Sequence, residues 1–149
     1  MISITFQHDY RLDEASIKLV LGTIGVYFIF LNELMIPYPF GSSKLIYIGL
    51  SESRQNSVGR RLRAHLAGQS GNVGIMNYAE RYDVRFSYHS EEVLRNLGLA
   101  NLYEIESVFL SDFCRYRGAF PLCNNQAGLD LLRREVVLPS IEVDWAQFS

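Results

Sequence analysis

The chain has 149 residues, 48% hydrophobic and 20% charged, with a formal net charge of −2. That is the composition of one globular domain able to bury a sizeable core; it excludes a disordered or fibrous chain, and no apolar run reaches bilayer length. Bulk positive charge of the kind that coats nucleic acid is also excluded.

Residues 2 to 6 alternate weakly and read as a strand, and Asp13 can cap a helix from Ala15 to Gly22. Gly25-Val26-Tyr27, running on to about Phe30, and Leu45-Ile46-Tyr47-Ile48-Gly49 are β-former runs that each carry one tyrosine. As neighbouring antiparallel strands they would point Val26 and Phe28 to one face and Tyr27 to the other, with Tyr47 opposed to Ile46 and Ile48, so that two phenols share a face. Pro37, Pro39 and Gly41 make the segment from Asn32 to Ser43 a long turn region. A polar loop, Ser51 to Asn56, leads to a helix from about Ser57 to Ala67, with Val58, Leu62 and Leu66 on its buried face and Gly68 and Gly71 at its end. Glu80 to Tyr88 alternates as a third strand, and a helix from Ser90 bends near Gly98 and resumes from Leu99 to about Tyr116, with Leu102, Ile105, Phe109 and Phe113 apolar at helical spacing. A short helix is expected over Leu129 to Arg134, and an extended tail from Val136 to Ser149.

Several of these elements carry residues suited to phosphate chemistry. Twelve of the fourteen cations are arginine, and Arg54, Arg60, Arg61 and Arg63 fall together with Glu52 as the nearest acid upstream. Arginine matches phosphate bidentately, although the same run also fits a solvated helix face. Arg61 and His65, four residues apart, share a helical face, so a phosphate clamp and a proton-handling imidazole can enter one site together. Glu106 lies among apolar helix positions; its carboxylate suits a hard divalent cation such as Mg²⁺ or else pairs with Arg115 or Arg117 at the surface. A tyrosine, with an ordinary pKa near ~10, acts as a base only where positive charge stabilises the phenolate. Cys114 and Cys123 form no CxxC pair or metal-finger spacing, and the N-terminal residues lack a secretory pattern, so a soluble cytoplasmic protein with reduced thiols is expected.

Gly25-Val26-Tyr27, Tyr47-Ile48-Gly49, Arg61-x-x-x-His65, Glu106 in a later helix and Asn124 after Pro-Leu-Cys follow one another in an order that resembles the GIY-YIG nuclease family. The likeness spans about residues 23–126 of a single domain, 1–149, leaving 1–22 and 127–149 as extensions. Val26 replaces the isoleucine of the family motif, and the loops before Tyr47 and Arg61 are longer than in compact members. The resemblance implies an α+β fold with a small central antiparallel three-stranded sheet flanked by helices and an extra N-terminal strand and helix. It further implies hydrolysis of DNA phosphodiester bonds with one Mg²⁺ or Mn²⁺ on Glu106. Tyr27 would activate water, Tyr47 would stand against the scissile phosphate, Arg61 would stabilise the phosphorane, and His65 and Asn124 would complete the catalytic set. Arg60, Arg63 and Lys44 are expected to bind substrate. Arg60 and Arg63 also compete with Arg61, Glu104 with Glu106, and Asn125 with Asn124. A double-strand cut would need a homodimer or partner protein, and these residues do not separate DNA from RNA. The alternative, motivated by the acidic balance, is a nucleic-acid-binding or interaction module that keeps the fold without useful turnover.

Overall fold

The computed structural model describes residues 1–124 and 141–149. Its elements in chain order are β1 (Ile2–Ile4), β2 (Tyr10–Arg11), α1 (Glu14–Lys18), β3 (Gly25–Leu31), β4 (Ile36–Tyr38), β5 (Gly41–Ser43), β6 (Leu45–Ser51), α2 (Val58–Leu66), α3 (Val73–Arg81), β7 (Val84–Ser90), α4 (Glu91–Asn96), α5 (Leu102–Arg117) and β8 (Ile141–Val143), with a closing 3₁₀ turn at Trp145–Phe148. The main sheet has the order β2-β7-β3-β6, with antiparallel pairing throughout. β1 and β8 form a separate parallel pair, and β4 and β5 a small hairpin. No described helix is long and apolar enough to cross a membrane.

All seven residues of β3 are buried, which explains its continuous apolar run: helices or aromatic side chains cover both faces. Tyr27 pairs with Gly49 on one side and Tyr88 on the other, while Ile29 pairs with Tyr47, so the two phenols of the motif lie diagonally on one face. On the opposite face Phe28 meets Phe6 at 4.8 Å and Phe109 of α5 at 5.2 Å between ring centroids. Trp145 packs on Phe113 at 5.2 Å and is pinned by its indole N–H, which donates to Asp112 at 2.8 Å. These edge-to-face contacts make an aromatic core to which both ends of the described chain contribute.

α2 is seated by the N-terminal segment. Ser57 caps it through Arg60 N, Val58 N donates to Thr23 O at 2.8 Å, and Gly59 N donates to Val20 O at 3.1 Å. A Cβ on Gly59 would lie 2.7 Å from Leu21 N and 2.9 Å from Ile17 O, so glycine lets α1 and α2 touch backbone to backbone. The segment 1–22 thus supplies the buried side chains of Leu12, Ile17 and Val20 to the core.

The sheet departs from the expected three strands by the addition of β2, two residues long and too short for alternation to reveal. It is held at the edge by Arg85 to Asp9 and Arg11 to Asp83 ion pairs. The strand expected over Glu80 to Tyr88 begins at Val84, because Asn72 caps α3 through Ile75 N at 3.1 Å and the helix runs to Arg81. No helix is expected there from the sequence, and Gly74 in its first turn is a poor helix former. In α2 the buried face is Val58, Leu62 and His65; Leu66 is 38% exposed, so an imidazole takes the inward position assigned to a leucine. Residues 32–43 contain the β4–β5 hairpin, whose Tyr38 hydroxyl donates to Leu45 O at 2.7 Å. The helix expected at 129–134 and the alternative Asn125 lie outside the described residues.

His89, on the aromatic face beside Phe6 and Phe28, is buried, and its Nε2 has no partner among the described residues. Burial, then the nearby His8, lowers its pKa to about 4. The unfolded chain therefore takes up a proton near its ordinary pKa while the folded chain does not, so stability is full above about pH 6.5 and falls as the pH drops toward 4. His89→Phe is expected to remove up to about one proton from the pH slope of the urea unfolding free energy in that window. An unchanged slope would show that His89 titrates normally in the fold.

Candidate active site

A cavity of about 460 Å³ opens where β6, the edge of the main sheet, meets α2, the α2–α3 loop and α5. Tyr47, Arg61, His65, Glu106 and Asn124 line it, so five of the six expected catalytic residues share one hollow. The sixth, Tyr27, is fully buried behind it. Its hydroxyl lies 3.1 Å from His65 Nε2 and accepts from Arg61 Nε at 3.4 Å. The Tyr27 and Tyr47 rings are tilted at 6.0 Å between centroids, and Tyr47 meets His65 nearly edge-on at 5.3 Å.

The helix explains why Arg61 and His65 arrive together: one turn apart, both face the sheet while Arg60 and Arg63 turn away. Arg63 pairs with Glu14 and Arg60 donates to Gln55 O at 2.8 Å. Lys44 has its backbone N–H on Phe148 O at 2.6 Å. None of Arg60, Arg63 and Lys44 lines the cavity, and their expected substrate contacts are not preformed there. Asn124 closes the edge of β6 like a short strand: it accepts from Ile48 N at 3.0 Å and donates to Ile48 O at 2.9 Å. Both ends of its amide are thus spent on the backbone beside Tyr47, which makes it a support for that strand.

Burial sets the electrostatics. Desolvation raises the Tyr27 phenol well above its ordinary value, reinforced by Tyr47 and opposed by the Arg61 guanidinium. Tyr47 is raised too, chiefly by burial. His65 is lowered to about 4 by burial and then by Arg61, so it is neutral near pH 7. Glu106 is pushed up to about 7, first by burial, with Glu52 adding to the rise and Arg61 opposing it. Burial works to lower Arg61, but the two phenols and Glu106 outweigh it.

A carboxyl group held in a polar cavity at such a cost fits a cation-binding role. Among the described residues no set of three or more His, Cys, Asp and Glu side chains gathers to hold a metal. The donor set is one hard carboxylate, with both His65 nitrogens already engaged. That donor set fits a hard cation such as Mg²⁺ or Mn²⁺ that keeps most of its waters, and does not fit a closed zinc site.

Three polar side chains that line the cavity, Asn56, Ser70 and Asn72, were not among the expected site residues. Ser70 Oγ lies 2.7 Å from His65 Nδ1, and Asn72 donates to Cys123 O at 2.8 Å while capping α3, tying the loop to the wall that carries Asn124. The one available signal was a short polar loop between Gly68 and Gly71, both at positive φ, following a helix that already carried Arg61 and His65. The chain finds no match among protein-family models, curated proteins or solved structures.

Proposed function

We propose that this protein is a GIY-YIG-type endonuclease that hydrolyses phosphodiester bonds of DNA with the help of one divalent metal. The observation that carries the reading is the meeting of two phenols, a guanidinium, an imidazole and a half-buried carboxyl, drawn from four separate elements, around one polar cavity at a sheet edge. Few reactions use that set. Phosphodiester hydrolysis needs a cation for the pentacovalent charge, a base for water and an entry for a polyanion.

In this reading Arg61 binds the scissile phosphate and carries the charge that develops on its oxygens. Tyr47, which faces the cavity, orients the phosphate and the attacking water. Tyr27 is the expected base: it is neutral at rest, Arg61 stands beside its oxygen to stabilise a phenolate and His65 Nε2 lies at 3.1 Å. Because it is buried behind the cavity, it would act on water only once substrate binding opens the wall between them. Solvent in the cavity protonates the leaving oxygen. Glu106 would hold the metal, which when bound supplies Lewis-acid stabilisation to the phosphate. Exposed Arg54 and Arg60, on the loop and first turn beside the cavity, are available to steer the DNA backbone. One site cuts one strand, so a double-strand break requires a second copy or a partner.

Nicking of supercoiled plasmid tests this. The protein is expected to nick in Mg²⁺ or Mn²⁺ and to stop in EDTA, with Tyr27→Phe slowed by roughly 10²-fold, the scale of lost acid–base catalysis. Equal nicking by the two proteins would mark a contaminant and sink the proposal. Tight, salt-dependent DNA binding without nicking would favour the binding-module alternative.

A further inference from the structure

Tyr27 has no exposed surface, so any proton it loses must leave through its neighbours. Arg61 Nε can only donate, and it occupies one acceptor position on the phenol oxygen. Of its other polar neighbours, the Tyr47 hydroxyl is close enough to influence its titration, and His65 Nε2, at 3.1 Å, is the nitrogen able to accept its proton. An imidazole that accepts at Nε2 carries its own proton on Nδ1, and that atom lies 2.7 Å from Ser70 Oγ.

We propose that Ser70 is a positioning residue that fixes His65 as the Nδ1–H tautomer, leaving Nε2 to accept the Tyr27 proton and opening an exit from the buried phenol to solvent. Its catalytic consequence rests on the nuclease reading above; its hydrogen-bond arrangement does not. Ser70 Oγ also accepts from Asn72 N at 3.2 Å, so both of its lone pairs are engaged by N–H donors and its own proton is free to point outward. Ser70 is exposed, whereas His65 is buried, so the serine is the place where the chain Tyr27, His65, Ser70 reaches water. The loop is shaped for this: Gly68 and Gly71 on either side of Ser70 both sit at positive φ, at 70° and 81°, and Asn72 begins the next helix. When a proton arrives at Nε2, the one on Nδ1 passes to Ser70 Oγ and the serine proton passes to water. Imidazole and hydroxyl end neutral, and only the phenol has lost a proton.

The test has two arms. In ¹⁵N-histidine-labelled protein, the His65 spectrum is expected to show a protonated Nδ1 and a bare Nε2, and Ser70→Ala is expected to shift it toward the other tautomer. In the nicking assay Ser70→Ala is expected to lower kcat about tenfold, the worth of one such hydrogen bond, with KM unchanged, and Ser70→Thr is expected to restore both readouts because it keeps the hydroxyl. A wild-type His65 protonated at Nε2 overturns the assignment, as does a Ser70→Ala protein with unchanged tautomer and kcat. Should the wild type fail to nick at all, the nuclease reading falls, and the tautomer arm still decides this one.

Discussion

Glu106→Gln is expected to abolish metal-dependent nicking and, in the same protein, to raise the stability of the metal-free fold at pH 8. The two effects have one cause. Burial, joined by Glu52, holds the Glu106 carboxyl up at about 7 against an ordinary 4.5, and Arg61 offsets only part of that. An acid whose pKa is higher folded than unfolded binds more protons in the folded state between those values, so stability falls as pH rises through the window from about 4.5 to 7. The cost is fully present above it and absent below it. Glutamine keeps the shape and removes the charge, so a gain of roughly 1–3 kcal/mol is expected at pH 8 in EDTA, shrinking to nothing near pH 4. The activity arm reads a loss of at least ~10³-fold, since a carboxylate that holds a metal has no neutral substitute. Urea unfolding at the two pH values, beside plasmid nicking, checks both. A variant less stable than the wild type at pH 8 would show that the charge is already compensated in the fold, and retained nicking would remove Glu106 from the site.

A stability gain on losing a carboxyl is the mark of a position kept for function at the expense of the fold. The same tension explains what the sequence did and did not disclose. Tyr27, Tyr47, Arg61 and His65 were picked out by the resemblance of their motifs, and strand and helix periods then put the two phenols on one sheet face and the guanidinium and imidazole on one helix face. The register agrees with the shared face, with Tyr27 opposite Gly49 and Ile29 opposite Tyr47, although which residue stands opposite which is set by the pairing and not by alternation. Ser70 and Asn72 were not legible, because a loop has no period and their roles depend on where α3 begins. Nor was β2: with two residues it carries no pattern, and it is held by ion pairs to β7 that only folding assembles. Leu66 was assigned to the core by spacing, but His65 took the inward position, where Tyr27 and Ser70 satisfy both ring nitrogens. Local hydrophobicity ranks leucine above histidine; hydrogen-bond satisfaction in the fold reversed the order.

Gly49→Ala is expected to damage both the fold and the site. Gly49 sits directly across from Tyr27 in the β3–β6 ladder, and the phenol ring lies over its Cα. A Cβ there would penetrate Cζ and the hydroxyl oxygen and stand 2.7 Å from Cε1. The ring cannot yield sideways, because Tyr47 and His65 flank it at 6.0 and 5.9 Å between centroids. Overpacking of this kind costs about 1–3 kcal/mol, and the upper end is expected where the clashing group is a rigid ring. Displacing the hydroxyl by about 1 Å from His65 and Arg61 would slow nicking roughly 10²-fold, since misplacement alone carries that penalty. A double-mutant cycle isolates the cause. In a Tyr27→Val background no ring remains to be struck, so the same Gly49→Ala change should cost little, giving a favourable coupling of about 1–2 kcal/mol by urea unfolding. Additive costs would mean that glycine is needed at this position for some reason other than the phenol lying across it, and the close approach of Tyr27 to its cross-strand partner would lose its role in holding the site.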